Sequence, residues 1–132
     1  MSGGHVEVHK DLCMHECALR ELQEEFVIEP KNIIKSIPVA IFDDFLRDQR
    51  NQYLSTVFLH WINQPPKPSE EHKVVMVITL EDIYVEIQRG GLILDLKSKQ
   101  AYGFLHGHDS MIKNILGLQT TQAFIGEIMT TF

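Results

Sequence analysis

Residues 12–26 constrain this chain more than any other stretch. They run Leu-Cys-Met-His-Glu-Cys-Ala-Leu-Arg-Glu-Leu-Gln-Glu-Glu-Phe, free of proline and glycine, between Asp11 and Pro30. Asp11 has the chemistry of an N-cap, and Pro30 ends the pattern, so the spacing predicts a helix over 12–26. At helical spacing Glu21, Glu24 and Glu25 share one face within about one turn, and Ala18, Leu19, Leu22 and Phe26 form an apolar stripe on the opposing side. The stripe must be covered by another layer of the fold. Like charges at i,i+4 cost a few tenths of a kcal/mol each, so the acidic face is either solvated or neutralised by a cation. Three converging carboxylates suit a hard divalent ion bound through oxygen, Mg²⁺ or Mn²⁺. Gly3 and Gly4 lie just upstream, where glycine lets a backbone carbonyl approach a ligand closely.

Together these segments resemble the signature box of Nudix hydrolases, G-x5-E-x7-R-E-U-x-E-E-x-G-U with U apolar. Gly4 takes the opening glycine, and Gly3-Gly4-His5-Val6-Glu7 is similar to the usual lead-in. Arg20-Glu21-Leu22-Gln23-Glu24-Glu25 matches R-E-U-x-E-E throughout, and Ile28 takes the last apolar place. Val27 stands where the family has glycine, Lys10 stands where it has the first glutamate, and the linker from Glu7 to Arg20 is two residues longer than the pattern. The resemblance implies that Glu21, Glu24, Glu25 and the Gly4 carbonyl hold Mg²⁺ or Mn²⁺. It implies that Arg20 fixes the glutamates by a salt bridge and that Glu7 joins the outer metal shell. Asp11 could take over the support role of the glutamate that Lys10 replaces. Glu24, Glu25 and Arg20 would belong to the catalytic set.

The chain of 132 residues is long enough for one domain with a real core, read here as 1–132 with the box at 4–28 and a tail after about 117. Its net charge of −6 argues against general nucleic-acid affinity. An acidic protein can still take a polyphosphate when a metal bridges the two. The chain lacks an apolar run of the roughly 18 residues that a membrane helix needs, and it opens without a secretory pattern. Cys13 and Cys17 do not form a CxxC and read as free thiols, so the expected location is cytoplasmic. Seven histidines are scattered. His5, His9 and His15 are alternative metal ligands, though surface or phosphate-contacting roles fit their placement better.

Beyond Pro30, residues 33–42 are apolar and β-branched, with Pro38 inside, which predicts an edge or broken strand. Residues 53–62 read as a strand, and the pair 34–43 and 53–62 as a long hairpin. The connection, Phe42-Asp43-Asp44-x-x-Arg47-Asp48-x-Arg50, is similar to the segment after the box in ADP-ribose-pyrophosphatase-like Nudix proteins, with Gln49 and Asn51 in place of a proline and a glycine. Arg47 and Arg50 are candidates for substrate phosphate, or they pair with Asp43, Asp44 and Asp48. Residues 64–69 form an extended proline-rich linker. A short buried strand is expected at 74–78, and a helix opening on the Thr79-Leu80-Glu81-Asp82 capping pattern and running to about Arg89. The family often draws a further glutamate from the loop before that strand, which points to Glu71 as metal ligand or base, with Glu70 next. The alternative is a solvated acidic loop.

Gly90-Gly91 stops that helix, and 92–96 fits either a strand or a helical turn. Asp109 would cap a helix over 110–116, with Gly117 as its C′ residue. His108 either contacts substrate, as the resemblance suggests, or fixes the helix start. The tail 119–132 alternates weakly and is expected to pack lightly or fray.

The resemblance implies a Nudix α/β/α sandwich on a mixed sheet, here N-terminally shortened, since only three residues precede Gly4. That fold normally places strands before the box. The expected explanation is a fragment of a longer product; a homodimer completing the sheet and a shortened inactive relative are the alternatives. The implied reaction is Mg²⁺-dependent hydrolysis of a nucleoside diphosphate linked to another moiety, an ADP-ribose-like small molecule. The competing reading is an inactive Nudix-like module that binds a nucleotide or a protein.

Overall fold

In the computed structural model the described residues are 4–44, 53–71, 75, 77–88, 92–95, 100–103 and 108–131. The chain combines helices and strands and divides into two compact units, Met1–Phe42 with Leu54–Val75, and Asp43–Tyr53 with Met76–Phe132.

The first unit is built on α1, Met14–Phe26. It begins later than an Asp11 cap requires. Its N-cap is Cys13, whose side chain makes no capping bond, while the Leu12 N–H donates to the Glu16 carboxylate at 2.9 Å. Asp11 is withheld from capping because a stronger partner, Arg20, takes its carboxylate. The helix ends at Val27, which turns left-handed at φ 55° and ψ 43°. That turn carries Ile28 into the interior, where it is 2 % exposed, beside buried Cys17 and Leu22. A left-handed residue followed by an apolar contact is the usual way to end a helix, though glycine normally occupies it. Pro30, which has no N–H to satisfy, opens a single 3-10 turn, Pro30–Asn32.

Strands β1 (Ile33–Asp44) and β2 (Tyr53–Ile62) pair as a two-stranded sheet. The Asn63 N–H donates to the Asn32 carbonyl at 3.0 Å, and Ser36 meets His60 at 2.6 Å, so position rises along one strand as it falls along the other. The strands are therefore antiparallel, as the hairpin expectation had it. Pro38 lies inside β1 and is exposed, and β1 is continuous across it. In a two-stranded sheet each strand has a free edge, so a missing N–H need not break a ladder.

The N-terminal end of α1 docks on β2. The His15 ring stacks on Phe58 with centroids 5.2 Å apart and planes 9° from parallel, and Phe58 stacks in turn on His60 at 6.5 Å. Thr56 donates to the Met14 thioether at 3.1 Å. The C-terminal end of α1 is tied to the extended segment after β2. The Lys67 N–H donates to the Phe26 carbonyl at 2.9 Å, and the Gln64 amide donates to the Val27 carbonyl at 2.9 Å.

In the second unit α2 (Leu80–Gln88) packs against β3 (Leu92–Asp95) and α3 (His108–Leu116), and α3 packs against α4 (Gln119–Thr130). Strand β3 pairs antiparallel with β4 (Gln100–Gly103), Leu92 opposite Gly103 and Asp95 opposite Gln100. This resolves the 92–96 ambiguity in favour of a strand. The Thr79 hydroxyl accepts from the Asp82 N–H at 3.1 Å, the cap its sequence predicts. Three expectations are corrected. The described part of 74–78 is not strand, and Val77 is 84 % exposed. Asp109 lies inside the first turn of α3, which begins at His108. The tail is a full helix, α4, because Thr121 and Phe124 fall on one face at i,i+3 and bury, while Ile115 and Leu116 bury in α3.

Candidate functional site

The segment before α1 folds back on itself and onto the helix. The Glu7 carbonyl accepts from the Lys10 and Asp11 N–H groups at 2.9 and 2.8 Å, and the Asp11 carboxylate accepts from the Glu7 N–H at 2.8 Å. This two-way closure makes a tight loop whose buried tip is the Asp11 side chain. Beyond it Gly4 lies against α1, and the Glu21 carboxylate occupies the place that a Cβ on residue 4 would take. A side chain on residue 4 would therefore have to displace the Glu21 carboxylate.

Arg20 is the hub. Its Nε and Nη2 donate to the two Asp11 oxygens at 2.8 and 2.9 Å, a bidentate charge-assisted pair. Its Nη1 reaches both Glu21 and Glu24 at 3.1 Å, with Glu7 at 4.0 Å. Nη2 also donates to the His5 carbonyl at 3.4 Å. One guanidinium thus joins the loop to two carboxylates of α1, Glu21 and Glu24. Arg20 makes the salt bridges to Glu21 and Glu24 expected of it, and its bidentate partner on the loop is Asp11. Lys10, at the exposed rim of this network, pairs with Glu7 at 3.0 Å.

The charges respond accordingly. Hydrogen bonds from Arg20, and then from the Glu7 N–H, hold the Asp11 carboxyl well below the usual carboxylate range. Bonding to Asp11 raises Arg20 in turn. Glu21 is pushed up, first by burial and then by repulsion from Glu25 and Glu24, which together outweigh the pull of Arg20. Glu25 is itself buried at 5 % exposure. Burial, then repulsion from Asp11, raises the Cys17 thiol, which lies 3.9 Å from the Gly4 carbonyl and 3.8 Å from Arg20. Glu7 bonding, then its charge, raises Lys10.

Among the described residues, no group of three or more His, Cys, Asp or Glu side chains is arranged to hold a metal ion. In this structure Arg20 Nη1, rather than a common point between carboxylates, joins Glu21 and Glu24. The donor chemistry nevertheless fits a hard divalent ion. It is all oxygen, the Glu21 carboxylate abuts Gly4, and the repulsion among Glu21, Glu24 and Glu25 is what a cation would relieve.

Of the remaining candidates, Glu70 and Glu71 lie exposed in the same unit as the box. His15 is engaged with Phe58, and His5 and His9 are exposed. Arg47 and Arg50 lie outside the described residues, and of His108 only its place as the first residue of α3 is described. Sequence reasoning missed Gln64 and Cys17. A lone glutamine before a proline run and a cysteine on the helix carry no pattern that could have marked them. No family model, curated protein or solved structure matches the chain. Among the described residues, none of the helices is long and apolar enough to cross a membrane.

Proposed function

We propose that this chain carries a Nudix-type site for Mg²⁺- or Mn²⁺-dependent hydrolysis of a nucleoside diphosphate linked to another moiety, in a domain of the Nudix sandwich class. The observation that carries the reading is the Arg20 hub. A loop opening on Gly4 is latched through Asp11 to the same guanidinium that braces Glu21 and Glu24. A solvated helix face needs no such latch. In the proposed site Glu21, Glu24, Glu25 and the Gly4 carbonyl hold the metal. The metal supplies charge neutralisation for the diphosphate and a more acidic bound water.

The protein's own part is positional. Arg20 keeps neighbouring carboxylates at fixed separation, and its pairing with Asp11 stops it from competing for substrate phosphate. Glu25, buried beside Leu22, is held with little rotamer freedom. An exposed glutamate, Glu71, is the candidate to accept a proton from the attacking water. Arg47, Arg50 and His108 are the candidate substrate contacts.

The engagement of Glu21 and Glu24 by one arginine favours a second reading, a nucleotide-binding module without catalysis. The two separate in one assay: Mg²⁺-dependent release of AMP or phosphate from a panel of nucleoside-diphosphate compounds, wild type beside Glu24→Gln. The hydrolase reading expects turnover that the substitution reduces by at least about 100-fold. Equal rates in the two proteins would sink it. Absent turnover with nucleotide binding retained would establish the binding module.

A further inference from the structure

Among the described residues, the sheet that contains β2 is β1 and β2 alone, so each strand has an outer edge with no strand beside it. The two edges differ in sequence. β1 carries Lys35, Pro38, Asp43 and Asp44, residue types that keep an edge strand from pairing with another chain. β2 runs Tyr-Leu-Ser-Thr-Val-Phe-Leu-His-Trp-Ile, 10 residues without Asp, Glu, Lys, Arg, Pro or Gly. A long edge of that composition is a template for strand addition.

The faces of β2 also differ. The Ser36–His60 bond puts both residues on one face, and alternation adds Thr56 and Phe58, which α1 meets through Met14 and His15. Ser55, Val57, Leu59 and Trp61 therefore take the other face, with Ile37 and Val39 of β1 by the same count from Ser36. All six are half-buried, and none belongs to the core.

We infer that the outer edge of β2 docks a second copy of this chain, pairing β2 with β2 antiparallel about a two-fold axis. The whole chain has a net charge of −6, which opposes the approach of two copies, yet β2 sets no like charges opposite one another. An axis perpendicular to the sheet keeps equal faces on the same side and brings the middle of β2, at Val57, close to its own counterpart. The four-stranded sheet that results joins the Val57, Leu59 and Trp61 faces of the two copies. An edge of about 34 Å by about 10 Å buries on the order of 700 Å² in total and makes about ten backbone hydrogen bonds. That is below the roughly 1,200 Å² of a stable interface, so the dimer is weak and depends on concentration. The inference does not draw on the metal-site reading above.

The test is sedimentation equilibrium of the full chain from about 10 µM to about 1 mM, with hydrogen exchange of the β2 amides at both ends of that range. The expected result is a monomer that becomes a dimer as concentration rises, with new protection in β2. Val57→Lys sets two ammonium groups together near the axis and should weaken dimerisation by at least about tenfold. Val39→Lys adds the same charge to the same face on β1 and should leave it within about twofold. A monomer at every concentration would overturn the inference and leave the edge to a strand of another protein. A dimer without new protection in β2, or one unchanged in Val57→Lys, would overturn it as well. Equal loss in Val39→Lys would replace edge pairing with stacking of the two faces. If circular dichroism shows Val57→Lys to be unfolded, Ser55→Lys, which removes no apolar side chain, takes its place under the same criteria.

Discussion

Two of the regions that hold α1 in its unit use opposite chemistry. On one side the loop 4–11 grips the helix through charge: Asp11 on Arg20, and Arg20 on Glu21 and Glu24. Toward its N-terminal end the helix rests on β2 through stacked rings, His15 on Phe58 on His60, with His60 bonded to Ser36. The ionic side tolerates burial only because its charges are matched, so its failure mode is the loss of one partner. The ring side includes part-buried His60, where burial disfavours the charged form, so its failure mode is protonation of that ring. The acidic face belongs to the ionic side, which is where a divalent ion would add to an existing charge network. The two contacts should therefore fail at different pH and to different substitutions.

The largest effect is expected from Arg20→Gln. It strands Asp11, whose side chain is 1 % exposed, without its cation. The thermal midpoint should fall more than for any other single change at the site, and Mn²⁺ affinity should weaken by about 100-fold. Asp11 also sets the acid limit of the ionic side. Its folded pKa is depressed, so the stability it contributes is complete above its ordinary value of 3.8 and is lost as pH falls through the folded value. Melts of wild type below pH 4 should show this decline, and Asp11→Asn should remove it while lowering stability at neutral pH. A decline unchanged in Asp11→Asn would assign the acid sensitivity elsewhere.

The ring side should respond at milder acidity. Burial, then repulsion from His15, lowers the His60 pKa below its ordinary 6.5. A depressed histidine contributes stability that is complete above that value and is lost as pH falls through the folded one. The thermal midpoint should therefore drop between pH 7 and 5, a window in which the Asp11 pair is untouched. His60→Gln keeps a group able to bond Ser36 but cannot titrate, so it should flatten this slope. Persistence of the slope in His60→Gln would place the titration elsewhere than His60.

The ionic side was more legible in the sequence than the ring side, for a physical reason. Helical spacing alone put Glu21, Glu24 and Glu25 on one face, opposite the apolar stripe, and did not mark Glu25 as buried. The match of Arg20 to the box supplied its bracing role. The Asp11–Arg20 bond spans nine residues through a turn that local propensity does not encode, so Asp11 read first as a helix cap. The His15–Phe58 stack joins residues separated by the whole of β1, and nothing in either segment marks the other. Likewise α4 was undervalued because its apolar positions are sparse; burial of Thr121 and Phe124, supplied by tertiary packing, makes it a helix.

Val27 gives the smallest effect and tests whether the box geometry is intrinsic to this chain. The sequence departs from the Nudix pattern there, yet the backbone adopts the left-handed turn that glycine favours, at φ 55°. A β-branched residue in that region crowds its own carbonyl, at about 1 kcal/mol or more. Val27 is 43 % exposed, so little apolar contact is lost on replacing it. The Gln64 bond to its carbonyl depends on the turn and not on the side chain. Val27→Gly should therefore raise stability by no more than about 0.5 kcal/mol, or about 2 °C in the thermal midpoint, after the greater freedom of glycine in the unfolded chain is counted. Mn²⁺ affinity should be unchanged, since no donor moves. A lowered midpoint would mean that the valine side chain packs more tightly than its exposure indicates. A change in Mn²⁺ affinity would mean that the strain at Val27 is transmitted back along α1 to Glu24 and Glu25, and the separation between a rigid ionic side and a merely structural helix end would have to be given up.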